Sequence, residues 1–462
     1  MYRSIISTDG VLDAVIVLPG SKSMANRALI LAALSEGTTL LEGVLDSEDT
    51  QVLAEALRQL GLEIQHHPTR QQMRVVGTRG IFPNQNVELY VGNSGTTARF
   101  LTALLAFSRG KYRIYGKPRM HERPIRDLVN ALQSLDAKIC YEEKDGFPPL
   151  SFSGIDQSFA ESFTKTFTKT FTKTSTKTST ETIAGVKRTR SAIVSGSVSS
   201  QFLSALLMAA PLAAQSGDVE LRLAGNLVSK PYIRMTLEMM KSFGVVAEIT
   251  GDFETFRFAM GANYQTPQSY QIEPDASGAS YFFAAAAVCG GSVTVPGLSR
   301  QSLQGDVAFV DCLEKMGCDV QWRPDSITVS RSPEKTLRGI SVDMNSLSDT
   351  AQTLAATALF AEGSTEIMNM EHVRFKETDR ITDLATELRR FGAVVDERPD
   401  GLRITPPQQL VPATVETYDD HRMAMSFAVV GLRLPGVVIK NPECTRKTFP
   451  DFFNLLDSLK KT

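Results

Sequence analysis

Six times along the chain a short apolar strand gives way to a turn of small polar residues, then to a helix that is apolar on nearly every face. The starts are "SKSMANRALILAAL" at Lys22, "NSGTTARFLTALLAF" at Asn93, "SSQFLSALLMAAPLAA" at Ser199, "DASGASYFFAAAAV" at Asp275, "SDTAQTLAATALFA" at Ser348 and "DDHRMAMSFAVVGL" at Asp419. They lie 71, 106, 76, 73 and 71 residues apart, so only the third arrives late, by about thirty residues. A helix with no solvated face is one buried on all sides, and small Ala and Gly side chains let such helices pack closely. A second, amphipathic helix follows in each unit, as in "EDTQVLAEALRQLG", which carries Glu48, Asp49, Glu55 and Arg58 on one side. In the first five units these helices end near Leu60-Gly61, Leu135-Asp136, Phe243-Gly244, Met316-Gly317 and Phe391-Gly392, and strand-like segments such as "VVAEI" follow. Gly just past a helix is a common C-cap, and alternation after it predicts a strand. Each unit therefore reads as βαβαββ over some seventy residues, and "FPDFFNLLDSL" is the sixth unit's second helix. The pattern predicts an α/β fold with helices inside and sheets outside, the inverse of a TIM barrel.

The late third unit contains "FTKTFTKTFTKTSTKTSTET" at residues 163 to 182, within an insertion spanning about residues 155 to 190. Five consecutive four-residue repeats without core-forming side chains read as a surface segment, with its four lysines as solvated charge. At 462 residues the chain exceeds what one core usually serves, so two or more domains are expected. A formal net charge of −2 leaves no footprint for nucleic acid. No apolar run reaches membrane-spanning length, and "MYRSIISTDG" has neither a signal-peptide core nor a transit-peptide bias, which points to the cytoplasm. Five cysteines form no CxxC pair, and five histidines show no HxxxH spacing, so no metal site is expected.

Charge changes the picture at the helix starts. A helix N-terminus has unbonded N–H groups and a positive dipole end, and it repels cations while attracting anions. Lys22 and Arg27 nevertheless lie in the first turns of the first buried helix. Further cations stand beside structural breaks: Arg123 in "MHERPIRDL", where Pro124 is expected to start a helix, Lys376 and Arg380 in "HVRFKETDRITDL", Arg422 in "YDDHRMAM" and Lys447 in "CTRKTFPDF". Singly each reads as a solvated side chain, and Glu377 with Arg380 as an i,i+3 surface pair. Jointly they read as a cleft for phosphates and carboxylates, with Asp349 and Glu377 available for proton transfer.

These stretches together resemble the 5-enolpyruvylshikimate-3-phosphate synthase family. The likeness runs from "LPGSKSMANRAL" through "GNSGTTARF", "RMHERPI", "GSVSSQFLSALLM", "SKPYI", "DASGASYF", "KETDR" and "YDDHRMAM" to "CTRKTFPDFF", nearly the whole chain apart from the insertion. It implies a two-domain inside-out α/β barrel, three βαβαββ units per domain. Residues 1–20 plus 273–462 would form one domain, mostly on the phosphoenolpyruvate side, and 21–272 the other, mostly on the shikimate 3-phosphate side. The implied reaction transfers the enolpyruvyl group of phosphoenolpyruvate to the 5-hydroxyl of shikimate 3-phosphate by addition and elimination, in a monomer, with no cofactor.

By motif position, Ser23 and Arg27 would hold the shikimate carboxylate. Ser199, Ser200 and Ser229 would take its phosphate with Lys376, while Gln201 and Tyr232 frame the ring. Lys22, Arg123 and Lys447 would hold the phosphoenolpyruvate phosphate and Arg380 and Arg422 its carboxylate, with Asn93, Gly95 and Gln201 completing that pocket. Asp349 would be the base for the 5-hydroxyl, and Glu377 and Lys22 the groups exchanging protons with the methylene carbon. Three features depart from the family pattern: His372 where many relatives have Asn, Phe100 where many have Pro, and the Thr-Lys insertion. The related UDP-N-acetylglucosamine enolpyruvyl transferases would carry a reactive cysteine before "RPI", and "GKPRMHERPI" has none. A non-catalytic phosphosugar-binding homologue would have lost Asp349, Glu377 or Lys22, and all three are present.

Overall fold

The structure, a computed structural model, describes residues 1–8, 10–153, 189–197 and 199–459. The Thr-Lys repeat lies outside the described residues. Within them, six helices follow short strands and are buried along their length: α1 (Lys22–Leu34), α3 (Gly95–Ala106), α5 (Ser200–Ala213), α7 (Ala276–Cys289), α9 (Ala351–Ala358) and α11 (His421–Arg433). Between them come α2 (Glu48–Gln59), α4 (Arg126–Ser134), α6 (Lys230–Ser242), α8 (Phe309–Lys315), α10 (Arg380–Arg390) and α12 (Phe452–Ser458). All fourteen residues of α7 are buried, which its Ala and Phe composition makes possible. Side-chain caps start five of the six: Ser21, Ser94, Ser199, Asp275 and Asp420 each accept from a backbone N–H of the following turn.

Two starts differ from the sequence reading. The fifth buried helix begins at Ala351, because residues 345–350 form a tighter turn broken by the non-helical Leu347, which leaves Asp349 at its mouth. Pro124 does not open a helix, since α4 begins at Arg126.

The described strands form five four-stranded sheets, one three-stranded sheet and a two-stranded ribbon. In each four-stranded sheet the first strand runs parallel to its neighbour and the other pairs are antiparallel. Two of those first strands come from elsewhere in the chain: Ser269–Gln271 pairs with Leu40–Glu42, and Leu12–Val15 pairs with Gly291–Thr294. In the sixth unit the described strands are Thr414–Val415, parallel to Val438–Ile439, and Tyr2–Ser4, which pairs antiparallel with Val438–Lys440.

Buried apolar side chains fall into two clusters. One is drawn from residues 24–272, the other from 5–18 and 276–459. In the second, α7, α9 and α11 pack on one another; in the first, α3 packs on α1 and α5. The chain passes between the clusters twice, at adjacent points: Ser21 N donates to Glu273 O at 2.8 Å, and Asp275 N to Pro19 O at 2.9 Å. We refer to the two clusters and their sheets as lobes. Among the described residues no helix is long and apolar enough to cross a membrane.

Candidate active site

The starts of the buried helices meet where the lobes face each other. One cavity there is lined by Lys22, Ser23, Arg27, Ser199, Ser200 and Gln201 together with Ser229, Tyr232, Asp349, Lys376, Thr96 and His372. Its volume is about 30 Å³, and Lys376 and Asp349 pair in its lining at 2.9 Å.

Arg27 is held in place without a counter-charge. Its Nε donates to Thr236 Oγ1 at 2.8 Å, Nη1 to Ser23 O at 3.0 Å and Nη2 to Ser204 Oγ at 3.0 Å. Among the described residues no carboxylate pairs with it, and burial lowers its pKa to about 10. Three of its five N–H groups are used, which leaves two without a partner in these bonds, and the side chain lines the cavity. Lys22 is balanced differently, by Asp49 at 3.4 Å. Asp49 is buried, correcting its placement on the solvated side of α2.

Two carboxylates anchor the remaining cations. Asp349 accepts from Lys376 Nζ at 2.9 Å, Arg422 Nη2 at 2.8 Å and Arg380 Nη1 at 3.3 Å. Burial alone would raise its pKa, but Arg422, Lys376 and Arg380 hold it well below the usual carboxylate range. Glu377 accepts from Lys447 Nζ at 2.7 Å and Arg380 Nη2 at 2.9 Å, with Arg123 3.9 Å away. Burial opposes its ionisation too, yet Lys447, Arg380 and Arg123 keep its pKa well below normal. Glu377 and Arg380 are therefore a buried pair, not a surface one.

Asn93 links this network to α3: its backbone oxygen accepts from Arg123 Nη1 at 3.0 Å and Lys447 Nζ at 3.1 Å. Gly95 leaves room for Arg123, since a Cβ at this position would lie 2.3 Å from the guanidinium and push it aside. Gln201 reaches Thr96 Oγ1 at 3.4 Å. Ser229 donates through its backbone N to Asn345 Oδ1 at 3.2 Å, across the lobe boundary. His372 Nε2 lies 3.0 Å from Ser348 Oγ and 3.5 Å from Ser229 Oγ, and burial lowers its pKa to about 4, so the ring is neutral.

The candidate binding and catalytic residues read from the sequence line this cavity or join the ion-pair network beside it. The sequence reading missed groups that hold them: Asp49, Ser204, Thr236, Asp306, Asn345 and Asp420. Asp420 pairs with Arg380 Nε at 2.7 Å, and its position before "HR" at a helix start was a readable signal. The others come from distant segments and carried none.

Fold and site together define an enzyme of two α/β lobes that brings paired carboxylates and excess cations to one interface, suited to binding several anionic groups at once. The chain belongs to the EPSP synthase (3-phosphoshikimate 1-carboxyvinyltransferase) family, whose sequence model matches residues 6–183 and 168–456. A relative from Sulfurovum sp. (strain NBC37-1), named 3-phosphoshikimate 1-carboxyvinyltransferase, is 45% identical over 449 residues, covering 97% of each chain. One of the same name from Nostoc punctiforme is 46% identical over 442 residues, covering 96% of this chain and 95% of the relative. Among solved structures, the EPSP synthase of Acinetobacter baumannii matches with a TM-score of 0.73 at 23% identity, covering 99% of this chain and 98% of that one. The enolpyruvyl transferase NikO from Streptomyces tendae matches with 0.71 at 17% identity, covering 99% and 97%. These two likenesses show the fold.

Proposed function

We propose that the chain transfers the enolpyruvyl group of phosphoenolpyruvate to the 5-hydroxyl of shikimate 3-phosphate and releases phosphate, as a cytoplasmic monomer. The observation that carries the reading is the convergence of the nine shikimate-side residues on one interlobe cavity. The free donors of Arg27, with Ser23, receive the shikimate carboxylate. Ser199, Ser200 and Ser229 take the phosphate with Lys376, and Gln201 and Tyr232 frame the ring. Phosphoenolpyruvate lies against Lys22, Arg123 and Lys447 through its phosphate and against Arg380 and Arg422 through its carboxylate, with Asn93 and Gly95 beside it. The lobes divide into domains at residues 20 and 272, and closure of one on the other excludes water.

In the addition step, Asp349 accepts the proton of the 5-hydroxyl as that oxygen attacks C2, and the methylene carbon gains a proton. In the elimination step the new methyl group loses a proton and the C–O bond to phosphate breaks. Glu377, held ionised by three cations, suits proton removal, and Lys22 suits proton delivery. Both substrates take cations that now pair with Asp349 and Glu377, so binding frees these carboxylates for proton transfer.

Phosphate release from a mixture of shikimate 3-phosphate and phosphoenolpyruvate tests the reading. No release above background by folded protein would overturn it, and release only with UDP-N-acetylglucosamine as acceptor would assign the related activity. Asp349→Ala should lower kcat by roughly 10²- to 10⁴-fold while shikimate 3-phosphate binding persists, checked by calorimetry beside turnover.

A further inference from the structure

Tyr232 brings one hydroxyl proton to two carboxylates. Its Oη lies 2.9 Å from Asp306 Oδ2 and 3.2 Å from Asp349 Oδ2. Tyr232 belongs to the lobe of residues 24–272, and both aspartates belong to the other. A phenol has a single proton to donate, so with both carboxylates ionised one contact would set lone pair against lone pair in a buried site. Asp306 is 5% exposed; its Oδ2 also accepts from Ser277 Oγ, and its Oδ1 has no hydrogen-bond partner among the described residues.

The turn that carries Asp306 is fixed on both sides. Gln304 Nε2 donates to Pro274 O at 2.7 Å and to Glu273 Oε2 at 3.0 Å, while its Oε1 accepts from Ala276 N at 3.0 Å. This stitches the turn to the crossing segment and the start of α7. Gly305 then lets the turn approach α6 of the opposite lobe, since a Cβ there would lie 2.3 Å from Pro231 Cβ, beside Tyr232.

We propose that Asp306 is a positioning residue for the reaction: as a neutral acid it donates to the Tyr232 hydroxyl, which donates to Asp349, so one additional proton orients the base and clasps the lobes. The inference rests on the assignment of Asp349 as base. The proton is taken from solvent as the lobes close, and no bond other than O–H is made or broken. The charged or titratable groups facing Asp306 are Tyr232 from α6, Asp349 from the turn before α9 and Arg422 from α11. Burial and then the Asp349 charge raise the Asp306 pKa to about 6, against the pull of Ser277, Arg422 and Tyr232. A carboxyl whose pKa is higher in the closed state favours closure at low pH. Closure becomes harder as pH climbs from the normal carboxylate range to about 6, and is insensitive to this group above that.

Two measurements on the full chain test this. Infrared spectra across pH should show a protonated-carboxyl band in the wild type that fades with a midpoint near 6 and is missing from Asp306→Asn. In a double-mutant cycle at about pH 5, where Asp306 is protonated, Asp306→Ala and Tyr232→Phe should each lower kcat/KM for shikimate 3-phosphate about tenfold or more, and together little more than the worse single variant. Asp306→Asn, neutral at every pH, should recover most of the loss and flatten the pH profile between about 4 and 6. Additive losses, Asp306→Asn as poor as Asp306→Ala, or a wild type without the band would overturn the proposal. If wild-type protein releases no phosphate, the functional reading has failed instead, and the infrared titration alone decides the state of Asp306.

Discussion

Arg27 shows how a single side chain can be built for a ligand. Three neutral oxygens hold its guanidinium in the fork geometry, Phe100 and Tyr232 present ring faces 5.3 and 5.8 Å from its central carbon, and among the described residues no anion balances it. A buried charge left unbalanced is costly and persists where a ligand supplies the counter-charge. Arg27→Lys keeps the charge and loses the fork, so KM for shikimate 3-phosphate should rise roughly tenfold or more with a smaller change in kcat, as steady-state kinetics would show. Equal KM values would remove the carboxylate contact from Arg27. At this scale the cations and the two carboxylates were legible, because cations at helix starts violate the helix dipole. Their supports were not. Thr236 and Ser204 lie 209 and 177 residues from Arg27 in the chain, and nothing local marks either as its partner.

At the scale of elements, six buried helices define both cores and aim their starts at the cleft. Their repeat was legible because helices buried on every side must be apolar all round and rich in small residues. Boundaries were less so: Asp349 was read inside a helix, whereas the turn of residues 345–350 holds it before α9 begins. Tight packing makes its own prediction. Ala285 in α7 is fully buried, and α7 packs against α9 and α11, so Ala285→Leu overfills the core. Thermal melting should report a loss of about 1–3 kcal/mol. Unchanged melting would mean the helices have room that the packing denies.

Across the whole molecule, the two cores communicate through paired crossings and through side chains such as Tyr232 and Asn345. The count of six units was legible, but the exchange of first strands was not, since short segments such as Leu12–Val15 carry no mark of a partner nearly 280 residues away. The adjacent crossings predict that residues 21–272 are thermodynamically a guest in the other lobe. Joining residue 19 directly to 274 should leave a foldable remainder with a cooperative melt, because Asp275 N already bonds Pro19 O. A spliced chain that stays unfolded would show that the lobes depend on each other for stability. The pairing of Tyr2–Ser4 with Val438–Lys440 carries a further consequence for birth at the ribosome. At about 5–20 residues per second, the first strand waits roughly 20–90 s for its partner to be made. The lobe of residues 24–272 has all its strands long before then, so it can fold while the amino terminus is still an open edge. Nascent chains halted before residue 438 should therefore hold one finished lobe and one adhesive end, the state in which this protein most needs a chaperone.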